Sequence, residues 1–340
     1  MTVLQGGRRA GRAHRAHRGP TGEHRARRRA RRALTVLVIA LAALLVVMAS
    51  QATGPAVAPS PAPAAAAHPA PAKPPARGDY GIAAAPAEER TAIKLKLPLR
   101  SGLLFDVNTG QVLWARSPAL VVPIASLTKM MTALVVMEHA RPGARVLITS
   151  DALHYTGSGV GLLPKGKRVS LTTLLYGLLL PSGNDAAIAL ADYVAGTQWR
   201  FIALMNERAH DLGLSCTHFT TVSGIVDRGN HSCVQDLALI AHLVLRQPLL
   251  AQIVGSRSAI LPFPIKGGKL FLFNNNPLLV LRYPGTDGVK TGFTDAAGQC
   301  LVATARRGNR WLGVVLLRSG DTSTQAQQLL SAGFAKTSRG

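Results

Sequence analysis

An α+β domain is predicted by three features of this chain. Alternating apolar stretches stand near its two ends, at 101–116 and 299–318. Between them runs a series of apolar or amphipathic segments of helical length, at 126–137, 170–180, 186–195, 199–212 and 232–245. Clusters of Gly, Pro and Asn separate these segments and mark the turns. Strands from both ends can pair as one antiparallel sheet, with the helical block packed against it.

The residues ahead of that domain have a different composition. The first 32 residues hold eleven arginines against one acid, Glu23, and lack apolar periodicity. Residues 1–32 therefore read as a disordered basic arm. Residues 33–50 follow, uncharged and with only Thr35 and Ser50 polar. That length suits either a transmembrane anchor or a signal segment, and Ser50-Gln51-Ala52 offers small residues for cleavage. In either case the arginines stay cytoplasmic and the rest is exported. The basic arm is then a topology-fixing flank, and no nucleic-acid partner is expected. Residues 51–93 are dominated by Pro and Ala and read as a semi-rigid spacer. At ~3.1 Å per residue its Pro/Ala-rich part, 53–87, holds a domain up to about 100 Å from the membrane. The folded domain is expected over 94–340, and its basic excess suits an anionic neighbour.

The elements follow in order. Residues 101–116 form two strands around the turn Asn108-Thr109-Gly110. The segment from Ser126 to Met137 has no Gly or Pro and is apolar nearly all round, so it is a buried helix, ended by Arg141-Pro142-Gly143. A short strand at 146–150 and a Gly-rich loop at 155–164 lead to the next helix, with Ser170 as its N-cap. Pro181-Ser182-Gly183-Asn184-Asp185 breaks the pattern before the helix at 186–195. Ser232 and Gln235 fit a capping box for a later helix. Residues 299–305 and 311–318 form a hairpin, and 321–334 a closing helix. The cysteines at 216, 233 and 300 allow one disulfide, whose pairing the sequence leaves open, or three buried small side chains. No Cys or His spacing suggests a metal, and no cofactor is expected.

Chemistry gathers at three places. Ser126 and Lys129, three apart, share one face of a helix. A lysine becomes a base for serine when burial and nearby positive charge lower its pKa. Alone this pattern is weak, because a helix cap followed by a snorkelling lysine gives the same residues. Ser182 and Asn184, in a turn between buried helices, offer a second hydroxyl and a carboxamide. Lys290-Thr291-Gly292 supplies charge, a hydrogen bond and close backbone approach for a carboxylate.

Taken in order and with their flanks, these motifs resemble the penicillin-binding proteins and serine β-lactamases. Pro-Ile-Ala-Ser126-Leu-Thr-Lys129-Met, Leu-Leu-Pro-Ser182-Gly-Asn184-Asp-Ala-Ala and Asp-Gly-Val-Lys290-Thr-Gly are most similar to the low-molecular-weight D-alanyl-D-alanine carboxypeptidases. The resemblance implies a β-lactamase/transpeptidase-like fold, a helical cluster on a five-stranded antiparallel sheet. It implies a serine D-Ala-D-Ala carboxypeptidase acting on peptidoglycan stem peptides, with β-lactam antibiotics as covalent inhibitors. Ser126 is then the nucleophile, Lys129 its base and Ser182 a proton relay. Lys290 holds Ser182 and the local field, Asn184 binds the substrate backbone, and Thr291 its carboxylate. The N–H groups of Ser126 and Phe293, beside Gly292, form the oxyanion hole. His231 is implied at the cleft, and Arg318 is a candidate aid to the carboxylate. A transpeptidase or endopeptidase shares every motif, and a penicillin-binding sensor remains a further alternative. Gly183 departs from the Asp that many relatives carry between the Ser and Asn of the second motif. No glutamate stands where class A β-lactamases deacylate, and anchoring is expected at the N-terminal side through 33–50.

Overall fold

The computed structural model describes residues 80–85, 91–141 and 143–336. The expected basic arm, the apolar segment at 33–50 and most of the spacer lie outside these residues. Among the described residues no single helix is long and apolar enough to cross a membrane.

Twelve strands are described: β1 (Ala83–Ala84), β2 (Leu99–Asp106), β3 (Gln111–Arg116), β4 (Val122–Pro123), β5 (Arg145–Leu147), β6 (Arg168–Ser170), β7 (His231–Ser232), β8 (Ser258–Pro262), β9 (Lys269–Phe273), β10 (Thr286–Thr294), β11 (Gly298–Arg307) and β12 (Arg310–Ser319). The helices are α1 (Lys129–His139), α2 (Leu171–Leu179), α3 (Asn184–Ala195), α4 (Gln198–Asp211), α5 (Val234–Arg246), α6 (Pro248–Gly255), α7 (Pro277–Val280) and α8 (Thr322–Lys336).

The main sheet runs β1-β3-β2-β12-β11-β10. Its five long strands are antiparallel, as expected. A sixth, β1, pairs parallel with β3 at the edge, Ala83 opposite Gln111. Ala85 is buried behind it, so residues read as spacer pack on the domain. Side-chain alternation gives this sheet two buried faces. Leu103, Phe105, Val315 and Leu317 point into the core shared with the helical block. Leu104, Val314 and Leu316 point the other way, onto Leu329, Leu330 and Phe334 of α8.

Local chemistry explains most element boundaries. The Ser170 hydroxyl accepts from Thr173 N at 3.0 Å and starts α2. Residues Lys129 to Val136 of α1 are all buried, which accounts for the helix's apolar surface. Glu138 and Arg208 tie α1 to α4 through a buried ion pair at 3.0 Å. The expected strand at 146–150 is β5, displaced to 145–147 and paired with β6. The Ser232–Gln235 capping box does not form. Cys233 occupies the N-cap of α5 without a side-chain bond, and Ser232 Oγ is held by Thr217 Oγ1 at 2.8 Å. Cys216 and Cys233 form a disulfide, and Cys300 is buried and free.

Candidate active site

The cleft lies where the N-terminus of α1 meets the edge strand β10. A 3₁₀ turn, Ala125–Thr128, carries Ser126 and runs directly into α1, which begins at Lys129. Ala125 is held at φ +47°, a left-handed conformation rare outside glycine. Gly224, at φ +78°, is what allows the neighbouring loop to approach. A Cβ there would stand 1.9 Å from the Ala125 carbonyl oxygen. Thr128 Oγ1 donates to Ala125 O and accepts from Asn230 Nδ2, each at 2.8 Å, which binds the turn to the same loop.

Lys129 is completely buried. Its Nζ donates to Ser126 Oγ at 2.9 Å, Asn184 Oδ1 at 2.6 Å and the Ser223 carbonyl at 2.7 Å. Burial lowers its pKa well below the ordinary lysine value. The Lys290 charge adds to this, while Asp185 opposes it. Lys290, also buried, donates to the Thr291 carbonyl at 2.9 Å and is pushed down to about 7 by desolvation.

Ser182 sits at φ +69°, and its buried Oγ has no hydrogen-bond partner among the described residues. A backbone strained in this way, with an unpaired hydroxyl beside a cleft, is typical of a functional position. The departure at Gly183 has a steric cause. A Cβ there would meet Asp185 Oδ1 at 2.8 Å and Gly177 O at 2.9 Å. Asp185 itself accepts from the N–H groups of Val160 and Gly161, at 2.8 and 2.9 Å, and so fixes the Gly-rich loop over α3.

Ser126, Ser182, Thr291, Gly292 and Phe293 line a cavity of about 390 Å³. Lys129, Asn184 and Lys290 lie buried beneath it. The Asn184 carboxamide accepts from Lys129 and donates to the Thr156 carbonyl, and so fixes the position of the Lys129 amine. Lys290 does not hydrogen-bond Ser182, whose hydroxyl stays unpaired. His231 lies in β7 opposite Pro123 and does not line the cavity. Arg318 donates to the Ala296 carbonyl at 3.1 Å, outside the lining.

Sequence reasoning missed Ser158, Asn275, Pro277, Gln299, Cys300 and Thr322, which complete the lining. It also missed the Ser223 carbonyl as a third acceptor for Lys129. No local pattern signals that contact, because a backbone carbonyl makes it.

A lysine-paired serine at a helix start, facing a Lys-Thr-Gly strand across one cleft, places the protein in the penicillin-binding, β-lactamase-like class of serine enzymes. The family model described as D-alanyl-D-alanine carboxypeptidase (peptidase S11) matches residues 88–320, and the chain belongs to that family. It is 32% identical over 259 residues to the D-alanyl-D-alanine carboxypeptidase DacF of Bacillus subtilis, covering 74% of this chain and 66% of that one. The chain thus spans just under two thirds of that relative. The fold matches the crystal structure of a D-alanyl-D-alanine carboxypeptidase from Mycobacterium tuberculosis H37Rv with TM-score 0.66 and 33% identity, over 72% of this chain and 96% of the other. It matches the Streptomyces K15 DD-transpeptidase with TM-score 0.67 and 32% identity, over 72% of this chain and all of that one.

Proposed function

We propose that this chain is a serine D-Ala-D-Ala carboxypeptidase that removes the terminal D-alanine from peptidoglycan stem peptides. The observation that carries this reading is the buried Lys129 amine, 2.9 Å from Ser126 Oγ and depressed in pKa. In its neutral form Lys129 keeps two donors for Asn184 and Ser223 and accepts the Ser126 hydroxyl, taking its proton as Oγ attacks the carbonyl between the two D-alanines. The N–H groups of Ser126 and Phe293 receive the oxyanion, and a donor of this kind contributes roughly 3 kcal/mol. Gly292 supports this arrangement, since a Cβ there would stand 2.9 Å from Ile124 O and 3.2 Å from Ser126 N. The unpaired Ser182 hydroxyl passes the proton from Lys129 to the leaving amine, and D-alanine departs. Water then attacks the acyl-enzyme, its proton passes to Lys129 and on to Ser126 Oγ, and the shortened peptide leaves. Lys290 and Thr291 hold the substrate's terminal carboxylate.

β-Lactams fit the same site as covalent inhibitors, because they acylate the same serine. Two further observations support an extracytoplasmic, membrane-tethered location. The arginine-rich arm precedes an apolar stretch at 33–50. A disulfide joins Cys216 to Cys233, and disulfides persist in oxidising compartments.

Transpeptidation is the second reading, favoured by the likeness to the K15 DD-transpeptidase over that whole chain. There an amine replaces water as acyl acceptor. The test is D-alanine release by the full chain from a peptide ending in D-Ala-D-Ala, with Ser126→Ala as control. Release that survives in the variant sinks the proposed nucleophile. Release that requires an added amine selects the second reading.

A further inference from the structure

A second cavity, of about 330 Å³, lies on another part of the surface. It shares no lining residue with the Ser126 cleft; Pro277 of α7 lines the cleft, whereas Leu278 and Leu279 line the second cavity. Its polar wall comes from Arg257 and Arg282, with Tyr283, Gly285 and Thr286. Neither guanidinium lies within ion-pair distance of a carboxylate among the described residues. The sequence explains why, because no Asp or Glu occurs from 237 through 286. Asp287, the next acid along, is buried with its carboxylate taken up by Thr304 Oγ1 at 2.6 Å. A third guanidinium stands at the rim. Arg307 lies over the rings of Tyr283 and Phe334, at 4.9 and 4.5 Å, and its Nε donates to the Pro284 carbonyl at 3.5 Å. Arg282 occupies a left-handed position, φ +57°, just after α7, where glycine is the usual residue.

We propose that this cavity is a binding site for the phosphate groups of an anionic polymer, separate from the acyl-transfer cleft. One arginine fork satisfies both oxygens of a carboxylate. Two forks in one cavity with a third at its rim suit a group with more acceptor oxygens, and a phosphodiester chain presents such groups in series. The positive charge on this surface also draws a polyanion from a distance, and added salt weakens that attraction.

The test measures binding of the full chain, in detergent, to poly(glycerol phosphate) by fluorescence anisotropy. Arg257→Glu/Arg282→Glu is expected to weaken binding at least ~30-fold, since charge-assisted bonds to both arginines are lost. Lys165→Glu/Lys167→Glu, an exposed basic pair on the loop before β6, is expected to change it less than about twofold. Penicillin labelling of Ser126 checks that each variant is folded. If the Glu variant fails that check, Arg257→Gln/Arg282→Gln takes its place. Unchanged binding in the Arg257/Arg282 variant overturns the site. Equal loss in the Lys165/Lys167 variant does the same, because it means diffuse charge attraction. Poly-L-glutamate of matched charge that binds as tightly as the phosphate polymer overturns the assignment to phosphate.

Discussion

The helical wall of the cleft is fixed by polar side chains, whereas the sheet wall is fixed by backbone and by a missing side chain. On the helical side, Lys129, Asn184, Thr128 and Asn230 form a buried hydrogen-bonded cluster around the Ser126 turn. On the sheet side, β10 is paired along its length with β11, Lys290 opposite Val302 and Gly292 opposite Cys300. There Gly292 lets the strand approach the nucleophile's own N–H. The comparison assigns different tasks to the two walls. The helical wall sets the protonation state of Lys129. On the proposed mechanism the sheet wall sets where negative charge develops.

Breaking the helical wall has the largest expected effect. Lys129→Met removes the base while keeping an apolar chain in the buried space. It is expected to slow acylation ~10³-fold or more, measured as the rate of penicillin labelling. Ser126→Ala abolishes labelling altogether. On the sheet wall, Gly292→Ala pushes a methyl group against Ile124 O and is expected to cost about 10²-fold in the same rate. The methyl meets backbone, so a modest fall in melting temperature accompanies the slower rate, and a single cooperative transition shows that the fold survives.

A third change reaches the helical wall from outside. The Cys216–Cys233 disulfide closes the loop that carries Ser223 and Gly224. Cys216→Ala/Cys233→Ala is expected to lower stability by about 3 kcal/mol, on the scale for loops of this length. Denaturant unfolding measures that loss. Labelling should also slow, because the loop supplies one acceptor for Lys129.

A pH dependence of stability, which leaves the labelling chemistry aside, belongs to the sheet wall. Lys290 has a folded-state pKa of about 7, below its ordinary value of 10.5. The unfolded chain therefore binds more protons between those values, and unfolding free energy rises with pH across that window. Lys290→Met is expected to flatten this rise. A slope that persists in the variant would assign it elsewhere. Lys129 acts in the same direction, so the flattening is partial.

Much of this arrangement was legible in the sequence where the chemistry is local. Ser126 and Lys129 are three apart, and Thr291 and Gly292 follow Lys290 directly, so neighbouring residues specified them. Ser170 capped its helix for the same reason. What escaped depends on distant residues. Asn184 could be read as a polar turn residue, yet only the folded chain turns it inward to Lys129. Ser232 looked like a cap, but a threonine fifteen positions earlier in the chain takes its hydroxyl. The Ser223 contact is made by a backbone carbonyl, which every residue possesses and no pattern can single out. The edge strand β1 is two residues long, too short for any periodicity.

The three acceptors around Lys129 carry a consequence for the order of assembly. One is three residues away, one 55 and one 94. Contacts of such separation form only after long stretches of chain have been brought together. Until then the lysine remains in water, protonated, and cannot draw a proton from the serine beside it. On the proposed mechanism a half-assembled chain is therefore chemically silent, although Ser126 and Lys129 are near neighbours from the moment of synthesis. Reactivity towards a β-lactam would, on that mechanism, report that the whole domain has come together.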